Sequence, residues 1–269
     1  MTEGTIKLRI ITALVALPLL ILLVLFSSQT LFNLSVLLVT VLGLVEFYGM
    51  TLSTDRSLER SVAIAFGTLF AAFICWQQPH SALLVLVLTL LFLSILYLFR
   101  FGDLSQVMQH LSLTVFGLLY IPLMLGHLAM LRHLEDGPSW VLLTLVIAMT
   151  GDSAALFTGK AIGRRKLYPA VSPNKSIEGA IGGLIGSVAG AFVFKFFFFP
   201  QADNTLVLLM AVVLSVLAQL GDLFESLLKR SCQVKDSGTM IPGHGGVLDR
   251  LDSLLFVFPA AYYLIFFIG

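Results

Sequence analysis

Charge is what this chain has least of. Only 12% of its 269 residues are Asp, Glu, Lys or Arg, where soluble domains carry about 25%. A soluble globular domain of this size is excluded, because it could not cover its surface. Cysteine is almost absent: Cys75 and Cys232 give neither a disulfide framework nor a metal-type spacing. The five histidines, among them His80, His110, His127 and His133, form no ligand pair at helical spacing. Excess charge of either sign is missing too. A net charge of +1 leaves no basic surface for nucleic acid and no acidic tail.

Apolar side chains fill the space that charge leaves. They make up 58% of the residues, including 22 phenylalanines, and mean hydropathy is +0.99. Disorder is thereby excluded, since disordered chains are poor in such residues. A bilayer core needs about 20 apolar residues per helix. Runs of that kind occur at Ile10–Phe26, Thr30–Met50, Ser61–Trp76, Ser81–Phe99, Leu111–Leu131 and Trp140–Phe157. Three more lie at Ile177–Phe199, Thr205–Leu220 and Leu251–Ile268. The runs are unbroken, not alternating, so helices are expected over a barrel. The predicted fold is all-α, a polytopic integral membrane protein of about nine transmembrane helices in one integrated membrane domain. Residues 1–137 form a lipid-embedded scaffold and residues 138–269 carry the polar motifs. The first run lacks a small-residue cleavage site and reads as a span, not a signal peptide.

Nine spans sort the loops onto two sides. Fourteen of the 16 basic residues fall on one side, leaving only Arg132 and Lys195 for the other. By the bias of Lys and Arg toward cytoplasmic loops, the N-terminus is expected inside and the C-terminus outside. Lys195, near the outer end of its run, can snorkel to the interface. Glu46, near the inner end of the second run, reads as an interfacial carboxylate in preference to a functional one.

Two polar connections on the expected cytoplasmic side hold nine of the basic residues and seven of the 15 acids. The first runs from Gly151-Asp152-Ser153 through Gly163-Arg164-Arg165-Lys166 to Ser172-Pro173-Asn174-Lys175-Ser176-Ile177-Glu178-Gly179. The second runs from Gly221-Asp222-Leu223-Phe224-Glu225 through Lys229-Arg230 and Lys235-Asp236 to His244-Gly245-Gly246, Asp249-Arg250 and Asp252. The positive-inside bias accounts for the bases but not for the acids, which contribute little to topology. Carboxylates hold hard cations that bind phosphates, and basic side chains with glycine-rich turns meet the remaining phosphate oxygens. Asp222/Glu225 and Asp249/Asp252 are each spaced i, i+3 and share a face wherever the chain is helical, so the two pairs could converge on a metal. Asp152 and Asp222 closely follow apolar runs, where an ionisable group is a functional candidate. Lys175-Ser176 lacks the glycines of a P-loop. Gly182, Gly186 and Gly190, with Gly179 and Gly183 beside them, instead suit close helix packing.

At these residues the sequence resembles the CDP-diacylglycerol synthase (phosphatidate cytidylyltransferase) family. Ser226-Leu-Leu-Lys-Arg, then Lys235-Asp236, then His244-Gly-Gly-Val-Leu-Asp-Arg-Leu-Asp252 looks like the family signature. The Gly151-Asp-Ser and Ser172–Gly179 segments look like two further motifs. The specific portion covers roughly the C-terminal half. The resemblance implies conversion of CTP and phosphatidate to CDP-diacylglycerol and pyrophosphate in phospholipid biosynthesis. It also implies a Mg²⁺ requirement with room for a second cation, a homodimer in the inner membrane, and a cytoplasm-facing site that lipid reaches from the side. By similarity Asp222 and Asp249 are the metal carboxylates, with Asp152 nearby. Lys175, Lys229, Arg230, Lys235 and Arg250 would clamp phosphates, Lys175 at the reacting centre. Ser172, Glu178, Asp236, His244, Gly245 and Gly246 complete the candidate substrate contacts. Two alternatives differ in chemistry. A CTP-dependent polyprenol kinase, or another lipid cytidylyltransferase, would use the same nucleotide. An ion-coupled transporter would instead place its acids at broken helices near the midplane.

Overall fold

The computed structural model describes residues 3–100, 102–240 and 245–269, with side chains from residue 14 onward. A helix occupies each apolar run: α1 Glu3–Phe26, α2 Gln29–Thr51, α3 Ser57–Cys75, α4 Pro79–Arg100, α5 Val107–His133 and α6 Gly137–Ile162. A short hairpin of β1 Lys166–Tyr168 and β2 Ser172–Ser176 follows. Then come α7 Ile177–Phe198, α8 Asn204–Ser231, α9 Leu248–Leu251 and α10 Leu254–Ile268. Among the described residues seven helices are long and apolar enough to cross a membrane, and Leu14–Phe26 and Leu254–Ile268 are shorter apolar helices. The protein is an all-α polytopic integral membrane protein. Its outward-facing leucines and phenylalanines, such as Leu98, Phe196, Phe197 and Phe198, need lipid and not water around them.

The helices run past their apolar segments. α6 continues past Phe157 to Ile162, and Asp222–Arg230 lies inside α8, although the apolar runs end at Phe157 and Leu220. Leu, Glu, Lys and Arg are good helix formers, so the helix continues where the apolar run stops.

By its contacts the chain divides into two compact units, residues 1–130 with 236–249, and residues 131–235 with 250–269. In the first, α2 packs on α3 and α3 on α4. Polar ties link the helices: Asn33 Nδ2 donates to the Cys75 carbonyl (2.9 Å), and Tyr48 Oη to the Thr114 carbonyl (2.7 Å). Such bonds between membrane helices contribute about 0.6 kcal/mol each. At the polar end of α3, Arg56 Nη1 meets Glu59 Oε1 at 3.2 Å and donates to the Arg100 carbonyl at 2.9 Å.

In the second unit α6 and α7 pack closely. Added Cβ atoms at Gly182, Gly186 and Gly190 would collide with Thr158, Ala154 and Thr150 in turn. This is the packing expected of the glycine stripe, and Ser187 Oγ donates across it to the Ile147 carbonyl at 2.9 Å. α8 packs on α6, α7 and α10. Past the end of α7, Lys195 Nζ reaches the Pro200 carbonyl at 3.2 Å.

Candidate active site

In the second unit the hairpin delivers one cation to a group of acids. β1 pairs antiparallel with β2, Lys166 opposite Ser176 and Tyr168 opposite Ser172. Ser176 then caps α7, its Oγ accepting from the Gly179 N–H at 3.1 Å. Lys175 is thus held between a strand pair and a helix cap, and its Nζ lies 2.6 Å from Asp222 Oδ2 on α8. Asp152 on α6 lies within electrostatic reach of Asp222 and Lys175, with Ser253 nearby.

Asp252 joins the same group because Gly221, next to Asp222, has no side chain. A Cβ there would stand 2.7 Å from the Asp252 carbonyl oxygen. Burial, and then the Asp222 charge, push the Asp252 carboxyl up to about 7, against the pull of the Ser253 N–H and Lys229. The Ser253 N–H donates to Asp252 Oδ1 at 2.7 Å. Lys229 is itself tied to buried Glu225 at 3.2 Å, one turn back on α8. The i, i+3 pair Asp222/Glu225 therefore splits, with Asp222 facing Lys175 and Glu225 facing Lys229.

Three carboxylates around Asp222 outnumber the lysines beside them, and all their donor atoms are hard oxygens. That chemistry suits a hard divalent cation with phosphate oxygens as further ligands. Among the described residues no group of three or more His, Cys, Asp or Glu side chains is placed to hold a metal ion. One of the Asp222 oxygens has the Lys175 ammonium on it instead.

The other expected residues have distinct surroundings. Glu178, in the first turn of α7, accepts from the Arg164 and Arg165 N–H groups at 3.0 and 3.2 Å and fastens the connection after α6. Ser172 opens β2 and is half-buried. Arg230, Lys235, Asp236 and Arg250 are exposed, so their charges meet solvent without a desolvation cost. His244 lies outside the described residues.

Asp249 belongs to the first unit, whereas Asp252 belongs to the second; α9 ends between them at Leu251. Asp249 Oδ2 accepts from the Ser237 N–H (2.9 Å), the Ser237 hydroxyl (3.0 Å) and the Gly246 N–H (2.8 Å). Gly245 turns the chain at φ +85°, and a Cβ there would sit 2.8 Å from the same oxygen.

Glu46 corrects the sequence reading. It is not an interfacial carboxylate but is 4% exposed. Its Oε1 accepts from the Val247 N–H, and its Oε2 from the Leu248 N–H, each at 2.9 Å. Asp252 entered the sequence reading only as the partner of Asp249 in a pair that could converge on a metal, and Glu46 was not among its candidate site residues. Asp252 carried a signal, its spacing to Asp249 and its place in the motif. For Glu46 the signal was an acid inside an apolar run.

Comparison with known proteins follows this geometry. A family model described as "Cytidylyltransferase family" matches residues 7–268. A protein of Thermotoga maritima named phosphatidate cytidylyltransferase is 32% identical over 266 residues, 95% of this chain and 94% of that protein. Proteins of the same name from Bacillus subtilis and Staphylococcus haemolyticus are 43% identical over 148 residues and 46% over 125. Those matches take in 55% and 46% of this chain, and 55% and 48% of the relatives, so they span about half of each relative's length.

Proposed function

The chain belongs to the cytidylyltransferase family, and we propose that it converts CTP and phosphatidate to CDP-diacylglycerol and pyrophosphate in phospholipid biosynthesis. The observation that carries this is the gathering of Asp152, Asp252 and Lys175 about Asp222 in a membrane protein whose relatives bear that activity's name. A transporter reading has no comparable support.

In the proposed reaction an oxygen of the ionised phosphatidate phosphate bonds to the α-phosphorus of CTP. The bond from that phosphorus to the bridging oxygen breaks, and pyrophosphate leaves in line. The attacking phosphate is already anionic, so no side chain has to remove a proton. The protein's part is positioning and charge neutralisation. Lys175 presents its ammonium beside the carboxylates, where the CTP phosphates would lie. Lys229, Arg230, Lys235 and Arg250 would meet the remaining phosphate oxygens, and Ser172 with the Gly245 amide would add hydrogen bonds, the Gly246 N–H being held by Asp249. Asp222 would hold Mg²⁺ with Asp152 and Asp252 beside it, and the motif resemblance adds Asp249. When bound, Mg²⁺ would draw charge from the phosphate oxygens and ease attack at phosphorus. The proposal extends to a homodimer in the inner membrane, with the site facing the cytoplasm and the N-terminus inside.

The test uses purified protein in detergent with labelled CTP, phosphatidate and Mg²⁺. CDP-diacylglycerol and pyrophosphate should form together, and Asp222→Asn and Asp249→Asn should each abolish turnover in protein that stays helical. Release of CDP would identify a kinase instead. Turnover near the wild-type rate in either variant would remove that residue from the metal site.

A further inference from the structure

Glu46 is a carboxylate in a membrane-spanning helix, nearly sealed from solvent. Such a group is costly unless several donors meet it. Here the donors come from 191 to 202 residues away: the Ser237 hydroxyl at 3.2 Å, and the Val247 and Leu248 N–H groups at 2.9 Å. Both carboxylate oxygens are used. The Ser237 hydroxyl also faces Asp249 Oδ2 at 3.0 Å, so one hydroxyl proton lies between two carboxylates. A Cβ at Gly238 would come within 2.6 Å of Glu46 Oε1, and one at Gly246 would collide with Ser237 Oγ. The two glycines let the backbone close on the carboxylate.

We propose that Glu46 is a positioning residue: it holds Ser237 and Val247–Leu248 so that the Asp249 carboxylate is presented in one orientation for the cation. The inference rests on the assignment of Asp249 to Mg²⁺ made above. Every group pointing at Glu46 is a donor, so the role requires an acceptor on both oxygens. A cation at Glu46 itself is disfavoured, because the positive ends of two amide dipoles already point there. Glutamine would turn one acceptor into an N–H facing another N–H. Aspartate would keep both acceptors but draw them back by one methylene.

The full chain in detergent micelles tests this with Glu46→Gln, Glu46→Asp and Ser237→Ala. Two quantities are read: the Mg²⁺ concentration giving half-maximal CDP-diacylglycerol formation, and amide hydrogen exchange at residues 245–248. Glu46→Gln should raise the half-maximal Mg²⁺ concentration about 10–100-fold, the usual cost of losing a group that orients a metal ligand. It should also speed exchange at 245–248 while the membrane helices keep their protection. Glu46→Asp should recover part of the Mg²⁺ response. Ser237→Ala, which leaves the Glu46–amide bonds intact, should shift it in the same direction by less. An unshifted Mg²⁺ profile in a folded Glu46→Gln protein would overturn the proposal, as would faster exchange spread evenly over all helices. If Glu46→Gln does not fold, an unshifted profile in Ser237→Ala overturns it. A wild-type protein indifferent to divalent cations sinks the Mg²⁺ reading itself, whereas a cation-dependent wild type with unshifted variants sinks only the role of Glu46.

Discussion

Gly221→Ala isolates the contact that brings Asp252 to Asp222. The added methyl would stand 2.7 Å from the Asp252 carbonyl oxygen and 3.3 Å from Phe256 Cβ. The nearest obstacle is backbone, which cannot swing aside as a side chain would. Reaching the 3.0–3.4 Å found at the tight end of ordinary Cβ contacts takes a shift of roughly 0.3–0.7 Å. Overpacking of this sort costs about 1–3 kcal/mol. Replacing glycine by alanine in a helix returns about 1 kcal/mol, so the net destabilisation is about 0–2 kcal/mol. Activity should suffer more. If a 1 Å misplacement costs about 100-fold, this shift costs roughly 4–25-fold. Gly49→Ala is the matched control, since its Cβ meets only Arg60 Nη2 at 3.5 Å. Pyrophosphate release from CTP with phosphatidate, read beside the thermal midpoint in the same detergent, measures both effects. Gly221→Ala at the wild-type rate would refute the reasoning, because Asp252 could then move without consequence for the chemistry.

Two further predictions concern protonation and topology. The folded chain holds the Asp252 proton up to about pH 7, where an ordinary aspartate releases it near 3.8. Folding is therefore favoured by that proton at low pH, and the gain is lost as pH rises across this window. Thermal midpoints in chelator should fall from pH 5 to pH 7.5 by more in wild type than in Asp252→Asn; equal slopes would contradict the burial argument. With exposed-side labelling of Glu135→Cys and Lys166→Cys in a Cys232→Ser background, the two positions should report opposite membrane faces. Labelling from the same side would refute the proposed orientation.

Membership of the membrane class was legible in the sequence because it depends on stretches of about 20 residues, each of which must satisfy its own backbone in lipid. The glycine stripe of α7 was legible for a similar reason, since Gly182, Gly186 and Gly190 can share one helix face only by their spacing. The motifs carrying Lys175, Asp222 and Asp249 were legible as a dense, fixed pattern. The ends of α6 and α8 were not, because hydropathy marks where lipid stops and not where the helix does. The hairpin was hidden too: a three-residue strand carries no measurable alternation.

Sequence by itself determined that this chain crosses a membrane on helices, and which polar segments gather its charges of both signs. Only the tertiary structure decided which carboxylates lie together. Asp252 lies beside Asp222 because helices from distant parts of the chain close over Gly221. Glu46 meets its donors across 202 residues of separation. A carboxylate's behaviour is set by the donors and charges within a few ångströms of it, and sequence distance carries little of that information.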